Sequence, residues 1–129
     1  MIEPQECFFV LVLSIISYVR VNKSNHLGVF VNNLEKAEKY YSSLFGFKCI
    51  SKQSEKVIMK NGNQYFYLIK ENREKGSVIE YEVNDINKAK IELQNNGCKI
   101  LKWDGKGKDC FAKDKYGMIF NIWQREERP

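Results

Sequence analysis

The apolar positions of the chain alternate over short stretches, and two longer stretches carry helical spacing instead. In HLGVFV (26–31) every second residue is apolar on one face, which is the pattern of a strand packed against a helix. Residues 34–44 place apolar side chains at helical spacing, and Gly46 follows them as a typical helix stop. Three strands are predicted next, over 47–51, 56–60 and 64–70, and Asn61-Gly62 is a strong hairpin signal.

The same order of elements then begins again. A strand is predicted over 78–83, a helix over 86–93, and strands over 98–102, 109–113 and 118–123. When the two halves of the chain are aligned with residue 26 on residue 78, Val31 falls on Val83 and Ala37 on Ala89. This internal repeat predicts two copies of a βαβββ unit.

Each copy would have a helix on one face of its sheet and would need to bury the other face elsewhere. Two such sheets placed edge to edge can curl around a shared cavity. We therefore predict an α+β fold in which two tandem βαβββ modules, about 25–71 and 77–124, form a half-barrel cavity. The domain would span residues 24–129.

An apolar N-terminal extension, residues 1–23, precedes the repeat. Its segment Cys7–Val19 is apolar apart from two serines, but it is shorter than the roughly 17 to 25 residues of a membrane span. A signal peptide would require a Lys or Arg before this segment, and the residues that precede it include neither. The β-branched and aromatic content favours a strand that covers a sheet or a partner subunit. A membrane-proximal segment is the alternative.

Composition narrows the class of partner. The 129 residues include 21 Lys and Arg against 16 Asp and Glu, a net charge of +5, but the lysines are interleaved with acidic residues. A nucleic-acid partner is therefore not expected. The four cysteines form no CxxC pair, which favours reduced thiols and a cytoplasmic location.

Two long segments resemble a known family. HLGVFVNNLEKAEKYYSSLFGF is similar to the first module of the glyoxalase / bleomycin-resistance / extradiol dioxygenase family, the vicinal oxygen chelate superfamily. IEYEVNDINKAKIELQNNGCKI, followed by FAKDKYGMIFNIW with its Asp114–Gly117 turn, resembles the second module. The resemblance covers residues 25–124. It implies the half-barrel fold and favours a bacterial, cytoplasmic homodimer, to which the apolar N-terminal segment would contribute an interface.

Enzymes of this family bind a divalent metal through side chains on the first and last strands of each module. The resemblance places His26, Tyr67, Val78 and Asn121 at these four positions, and only His26 is a usual ligand. Glu80 lies on the same strand face as Val78 and is the one nearby residue that could rebuild a site. We therefore expect no metal, no other cofactor and no catalytic residues. A metal-dependent lyase, isomerase or dioxygenase with a rearranged site is the alternative.

The side chains expected on the concave face suit a small-molecule pocket, because aromatic walls supply contact area and a few polar groups supply orientation. The candidate ligand-binding residues are His26, Phe30, Tyr65, Tyr67, Glu80, Asn121 and Trp123. They predict a metal-independent protein that binds an aromatic or cationic molecule, of a sequestration or resistance type. A non-catalytic interaction subunit with a filled cavity is a further alternative.

Overall fold

The computed structural model describes residues 19–125. The elements are β1 (Val21–Val31), α1 (Leu34–Phe45), β2 (Lys48–Lys52), β3 (Lys56–Asn61), β4 (Gln64–Lys70), β5 (Gly76–Val83), α2 (Ile86–Asn95), β6 (Lys99–Trp103), β7 (Cys110–Lys113) and β8 (Ile119–Gln124). This order confirms the predicted α+β fold of two βαβββ modules. The extension predicted for residues 1–23 lies outside the described residues as far as residue 18.

All eight strands form one sheet in the order β2-β3-β4-β1-β5-β8-β7-β6. Within each module the first strand runs parallel to the last, β1 beside β4 and β5 beside β8. The antiparallel pair β1–β5 joins the two modules at the centre of the sheet. The first and last strands of the two modules therefore lie side by side at the centre of the sheet, in the order β4-β1-β5-β8.

Strand β1 begins five residues before the alternation predicts. Residues 21–23 already pair with β5: Val21 lies opposite Val83, and Lys23 lies opposite Tyr81. The register then shifts between Lys23 and Leu27. The periodicity did not show this early start, because an irregularity of the strand interrupts the alternation.

Both helices begin at residues whose side chains accept backbone hydrogen bonds. The Asn33 side chain accepts from the backbone N–H of Lys36, and Asp85 does the same for α2. Gly46 ends α1 in the left-handed region, at φ 73°, where its N–H bonds to the Ser42 carbonyl. Within residues 19–125 no helix is long and apolar enough to cross a membrane.

The helices cover one side of the sheet, which we call the outer face. Helix α1 packs on the buried residues Val57, Met59, Phe66 and Leu68 of β3 and β4. Helix α2 contributes Ile86 and Ala89 to a second cluster, with Val83, Cys110 and Ile122 from the strands. The opposite side, away from both helices, is the inner face.

The sheet curls strongly around its inner face. Strands β3 and β7 are five positions apart in the sheet, which would separate them by about 24 Å if it were flat. The Lys56 ammonium at the start of β3 nevertheless lies 2.9 Å from the carboxylate of Asp109, directly before β7. The two modules therefore enclose the inner face as the half-barrel that the repeat predicts.

Candidate functional site

The inner face has two ends of different character. At the apolar end the side chains of Phe30, Ile69, Val78, Phe111 and Ile119 form a buried cluster, with the Phe30 and Phe111 rings 5.3 Å apart. At the polar end is a cavity of about 280 Å³. Its walls are formed by His26, Gln53, Lys56, Ile58, Tyr67, Ile69, Glu80, Glu82, Asp109, Asn121 and Trp123.

Glu80 is the buried centre of the polar end, with 6% of its surface exposed. Its Oε2 lies 2.7 Å from His26 Nδ1 and accepts a hydrogen bond of 2.7 Å from Ser24 Oγ. Its Oε1 accepts from Asn121 Nδ2 at 3.3 Å. A buried carboxylate needs such partners to offset lost hydration, and here the two strands beside β5, which are β1 and β8, supply them.

The irregularity in β1 supplies one of these partners. The strand changes register between Lys23 and Leu27, and Ser24 lies inside this stretch. Its hydroxyl donates to Glu80 and accepts the backbone N–H of His26 at 3.2 Å. The serine therefore connects the backbone beside His26 to the carboxylate that the imidazole contacts.

Tyr67 reaches the same imidazole from β4. Its hydroxyl oxygen lies 3.3 Å from His26 Nδ1, and the two rings meet edge to face. Burial, with smaller contributions from the charges of Glu80 and Tyr65, raises the pKa of Tyr67 to about 12. The phenol is therefore protonated at neutral pH and remains a hydrogen-bond donor.

The ionisable side chains on the cavity wall are mainly acidic. The wall carries the carboxylates of Glu80, Glu82 and Asp109 against one ammonium, that of Lys56. Lys56 and Lys102 are paired with Asp109, and the Arg125 guanidinium lies 3.2 Å from Glu82, which leaves Glu80 as the wall carboxylate without a lysine or arginine partner among residues 19–125. Carboxylates beside aromatic rings favour a positively charged occupant.

Five of the seven candidate ligand-binding residues lie on the cavity wall: His26, Tyr67, Glu80, Asn121 and Trp123. Two do not. Phe30 lies four residues beyond His26 on β1 and packs into the apolar end. Tyr65 contacts the His26 ring at a centroid distance of 4.9 Å and carries the Lys60 ammonium over its own ring. It supports the imidazole without lining the cavity.

Other cavity residues were not found from the sequence. Lys56 and Ile58 follow the alternation of β3 and could have been placed on the inner face with the strands already predicted. Gln53 directly follows β2 and Asp109 directly precedes β7, so both lie outside the strands and no periodicity marks them. Asp109 reaches the wall only because the sheet curls, which a linear pattern does not show.

The side chains at the polar end do not fit a divalent metal of the family type. Such an ion takes about three protein ligands and an open position. Here His26 Nε2 is one available ligand, but His26 Nδ1 and Glu80 bind each other, the Tyr67 phenol is protonated, and Asn121 presents its amide nitrogen to Glu80. Val78 offers no donor. Among residues 19–125 no group of three His, Cys, Asp or Glu side chains is placed to hold a metal.

Comparison with protein families assigns the fold. The model of the Glyoxalase/Bleomycin resistance protein/Dioxygenase superfamily matches residues 23–110. The chain therefore belongs to this superfamily, as its resemblance implies. No protein of curated function matches the sequence.

Solved structures share this architecture. A methylmalonyl-CoA epimerase from Streptomyces coelicolor, in complex with 2-nitronate-propionyl-CoA, has a TM-score of 0.60 at 15% identity, covering 84% of this chain and 100% of that one. A hypothetical protein from Bacillus halodurans scores 0.57 at 15% identity, covering 84% and 97%. An extradiol ring-cleaving dioxygenase from B. fuscum also scores 0.57 at 15%, covering 83% of this chain and 33% of that one. At these identities the likeness shows the fold alone.

Proposed function

We propose that this protein is a metal-independent small-molecule-binding member of its superfamily, which holds an aromatic or cationic ligand in the polar end of the half-barrel. The observation that carries the proposal is the composition of the cavity wall. Among the described residues, no lysine or arginine pairs with the carboxylate of Glu80, which lines the same cavity as the rings of Tyr67 and Trp123. Aromatic faces attract cations, and this attraction is larger in a partly desolvated cavity.

The volume of the cavity supports a small occupant. At about 280 Å³ it is close to the lower limit of typical ligand pockets, which hold one compact molecule. Glu80 is already fixed by three partners, so that its charge is oriented before a ligand arrives. Preorganisation of this kind lowers the cost of binding.

Charge selectivity tests the proposal directly. The probes are 1-methylquinolinium, its uncharged isostere 1-methylnaphthalene, and the anion 1-naphthoate. Trp123 is 36% exposed on the cavity wall, and the buried indole N–H of Trp103 has no hydrogen-bond partner among the described residues. A Trp103→Phe background therefore leaves Trp123 as the only tryptophan and removes an unsatisfied donor. We expect the cation to quench Trp123 most tightly and the anion least.

Two variants locate the binding site. Glu80→Ala and Tyr67→Ala should each weaken 1-methylquinolinium binding about tenfold while the protein remains folded. Glu35→Gln, an exposed acid in the first turn of α1, is the matched control and should bind as the parent does. Unchanged binding in both cavity variants would show that the site has been misplaced. Absence of binding by any probe would favour the interaction subunit with a filled cavity.

Elemental analysis and melting curves test metal independence. We expect no stoichiometric metal in the purified protein, and the same melting temperature with EDTA as with added nickel, zinc, manganese or iron. A bound ion raises stability by mass action, so a metal-dependent site would melt earlier on chelation. A ratio near one metal per chain would favour the rearranged metal enzyme and make His26 and Glu80 the first residues to substitute.

The proposal includes a sequestration or resistance role and a homodimer in a bacterial cytoplasm. The scattered cysteines support a reducing compartment, and Cys49, Cys98 and Cys110 are free thiols. The apolar segment that ends at Val19 supports a subunit interface. Sedimentation equilibrium should therefore give twice the chain mass. A monomer over the full concentration range would contradict the dimer without affecting the cavity.

A further inference from the structure

The two nitrogens of the His26 ring are in different surroundings. Nδ1 lies 2.7 Å from Glu80 Oε2 and 3.3 Å from the Tyr67 hydroxyl oxygen. Nε2 has no hydrogen-bond partner in the part of the chain that the structure describes. The ring lies on the cavity wall, and 28% of the side chain is exposed. The imidazole is thus held from one side only.

The contact with Glu80 fixes which nitrogen carries the proton. An ionised carboxylate only accepts hydrogen bonds, so the nitrogen that faces it must donate. In the neutral imidazole Nδ1 then carries the proton and Nε2 carries the free lone pair. Ser24 and Asn121 hold the carboxylate in place, so the ring cannot satisfy it equally well in another position.

Tyr67 completes the arrangement. Since Nδ1 donates to Glu80, it has no lone pair to accept the Tyr67 proton, and that hydroxyl remains available to donate into the cavity. Lys56 lies over the Tyr67 ring, with its ammonium 5.8 Å from the centroid. A proton acceptor, Nε2, and a proton donor, the Tyr67 hydroxyl, therefore belong to adjacent side chains of one cavity wall.

We propose that Glu80 and His26 form a general-base dyad, in which Nε2 removes a proton from a carbon acid in the cavity while Tyr67 donates a hydrogen bond to the oxygen that becomes negative. The C–H bond breaks and its proton moves to Nε2. The electron pair forms a carbon–carbon double bond and displaces the carbonyl pair onto oxygen. Return of the proton to carbon completes an isomerisation, which needs no oxidant. Glu80 stabilises the imidazolium formed between the two steps.

This inference rests on the proposed ligand site and adds a reaction to it. The ligand class is an aromatic molecule with an acidic C–H bond whose conjugate base places its charge on oxygen. The same cavity can bind a molecule and release it unchanged, or bind it and isomerise it before release. The experiments below separate the two.

The protonated nitrogen can be observed directly, because His26 is the one histidine of the chain. A long-range ¹H–¹⁵N correlation spectrum of the labelled protein, at about pH 8, contains a single imidazole pattern. We expect the Nδ1–H tautomer in the parent and its loss in Glu80→Ala. The Nε2–H tautomer in the parent would overturn the proposal, because the lone pair would then face Glu80.

The rate of elimination of 5-nitrobenzisoxazole measures how well His26 acts as a base. Removal of the ring C–H proton of this substrate forms the nitrile and breaks the N–O bond, and the phenolate product absorbs visible light. His26→Asn keeps a donor for Glu80 but has no base, and should lower kcat about 100-fold. Glu80→Gln removes the charge that stabilises the imidazolium and that fixes the Nδ1–H tautomer, and should lower kcat by at least about tenfold. Glu35→Gln, an exposed acid far from the cavity, should leave kcat unchanged.

Binding is followed separately with 5-nitrobenzotriazole, which has the shape of the substrate but cannot eliminate. In the Trp103→Phe background, quenching of Trp123 by this compound in His26→Asn, together with lost turnover, supports the dyad. Quenching with parent-like turnover in His26→Asn overturns the dyad and leaves the ligand site standing. Absence of quenching in the parent contradicts the ligand site itself. Each result therefore identifies which of the two proposals fails.

Discussion

Three adjacent strands, β1, β5 and β8, run through both ends of the inner face, yet one end is core and the other is a cavity. Strand β1 supplies Phe30 to the apolar end and His26 to the polar end. On β5 the change from core to cavity takes two residues, from Val78 to Glu80. Strand β8 makes the same change between Ile119 and Asn121. The transition occurs at one level across neighbouring strands.

The common level of the polar residues on neighbouring strands explains why polar side chains are tolerated inside a small domain. A single buried carboxylate on one strand would cost several kcal/mol. Here the level of Glu80 also contains His26 and Asn121 from the adjacent strands, so that each polar group finds its partner across the sheet. The hydrogen bonds that orient Glu80 in the proposed ligand site are the same ones that make the polar end stable.

The largest expected effect lies at the apolar end. Phe111 is buried, and its ring contacts Phe30 across the curled sheet. Phe111→Ala should lower the free energy of unfolding by about 3 to 5 kcal/mol, because both the transfer term and the cavity term are lost. Urea unfolding measures this value. Phe45→Ala, at an exposed phenylalanine, should cost less than about 1 kcal/mol, and equal losses would show that the apolar end is not core.

An intermediate effect is expected at the polar end at alkaline pH. The pKa of Tyr67 is raised to about 12, against about 10 in the unfolded chain, so the folded state keeps this proton longer. The stability that it contributes is complete below about pH 10 and is lost as the pH rises to 12. After allowance for partial exposure, the loss is about 1 to 2 kcal/mol.

Comparison with Tyr67→Phe isolates this contribution. The variant should lack this part of the alkaline fall in stability, whereas Tyr40→Phe, at an exposed tyrosine, should retain it. Chemical unfolding at several pH values between about 9 and 12 provides the measurement. If the parent and Tyr67→Phe lose stability in parallel, the phenol of Tyr67 is less buried than the structure shows.

The smallest effect is expected at the rim, where Lys56 and Asp109 join the two modules. Both side chains are 24% exposed, so their attraction is partly screened. A double-mutant cycle with Lys56→Met and Asp109→Asn should give a coupling of about 1 kcal/mol that falls with added salt. The more exposed pair Lys52–Glu38 should give less than about 0.5 kcal/mol. Equal couplings would mean that the pair does not hold the rim closed.

Much of the fold was predictable because strand and helix periods are local properties. The predicted strand 64–70 agrees with β4 at both ends, and both helices agree to within two residues. The repeat gave the module order, since it compares one half of the chain with the other. The early start of β1 was missed, because a register shift hides it from any alternation pattern.

The candidate site was less predictable, because its residues depend on three-dimensional neighbours. Alternation assigned Glu80 and Asn121 to the inner face, and the structure places both on the cavity wall. It could not separate the apolar end from the polar end, so Phe30 was included. Ser24 and Asp109 were not found, since one depends on a strand irregularity and the other on the closure of the sheet.

Within residues 19–125 the curled sheet ends in two strands, β2 and β6, and each of them has one row of backbone groups without a neighbouring strand. Each carries two exposed lysines, Lys48 and Lys52 on β2 and Lys99 and Lys102 on β6. A second molecule that added its own edge strand there would bring ammonium groups together. Repulsion between these ammonium groups thus disfavours edge-to-edge association of the sheet into fibrils.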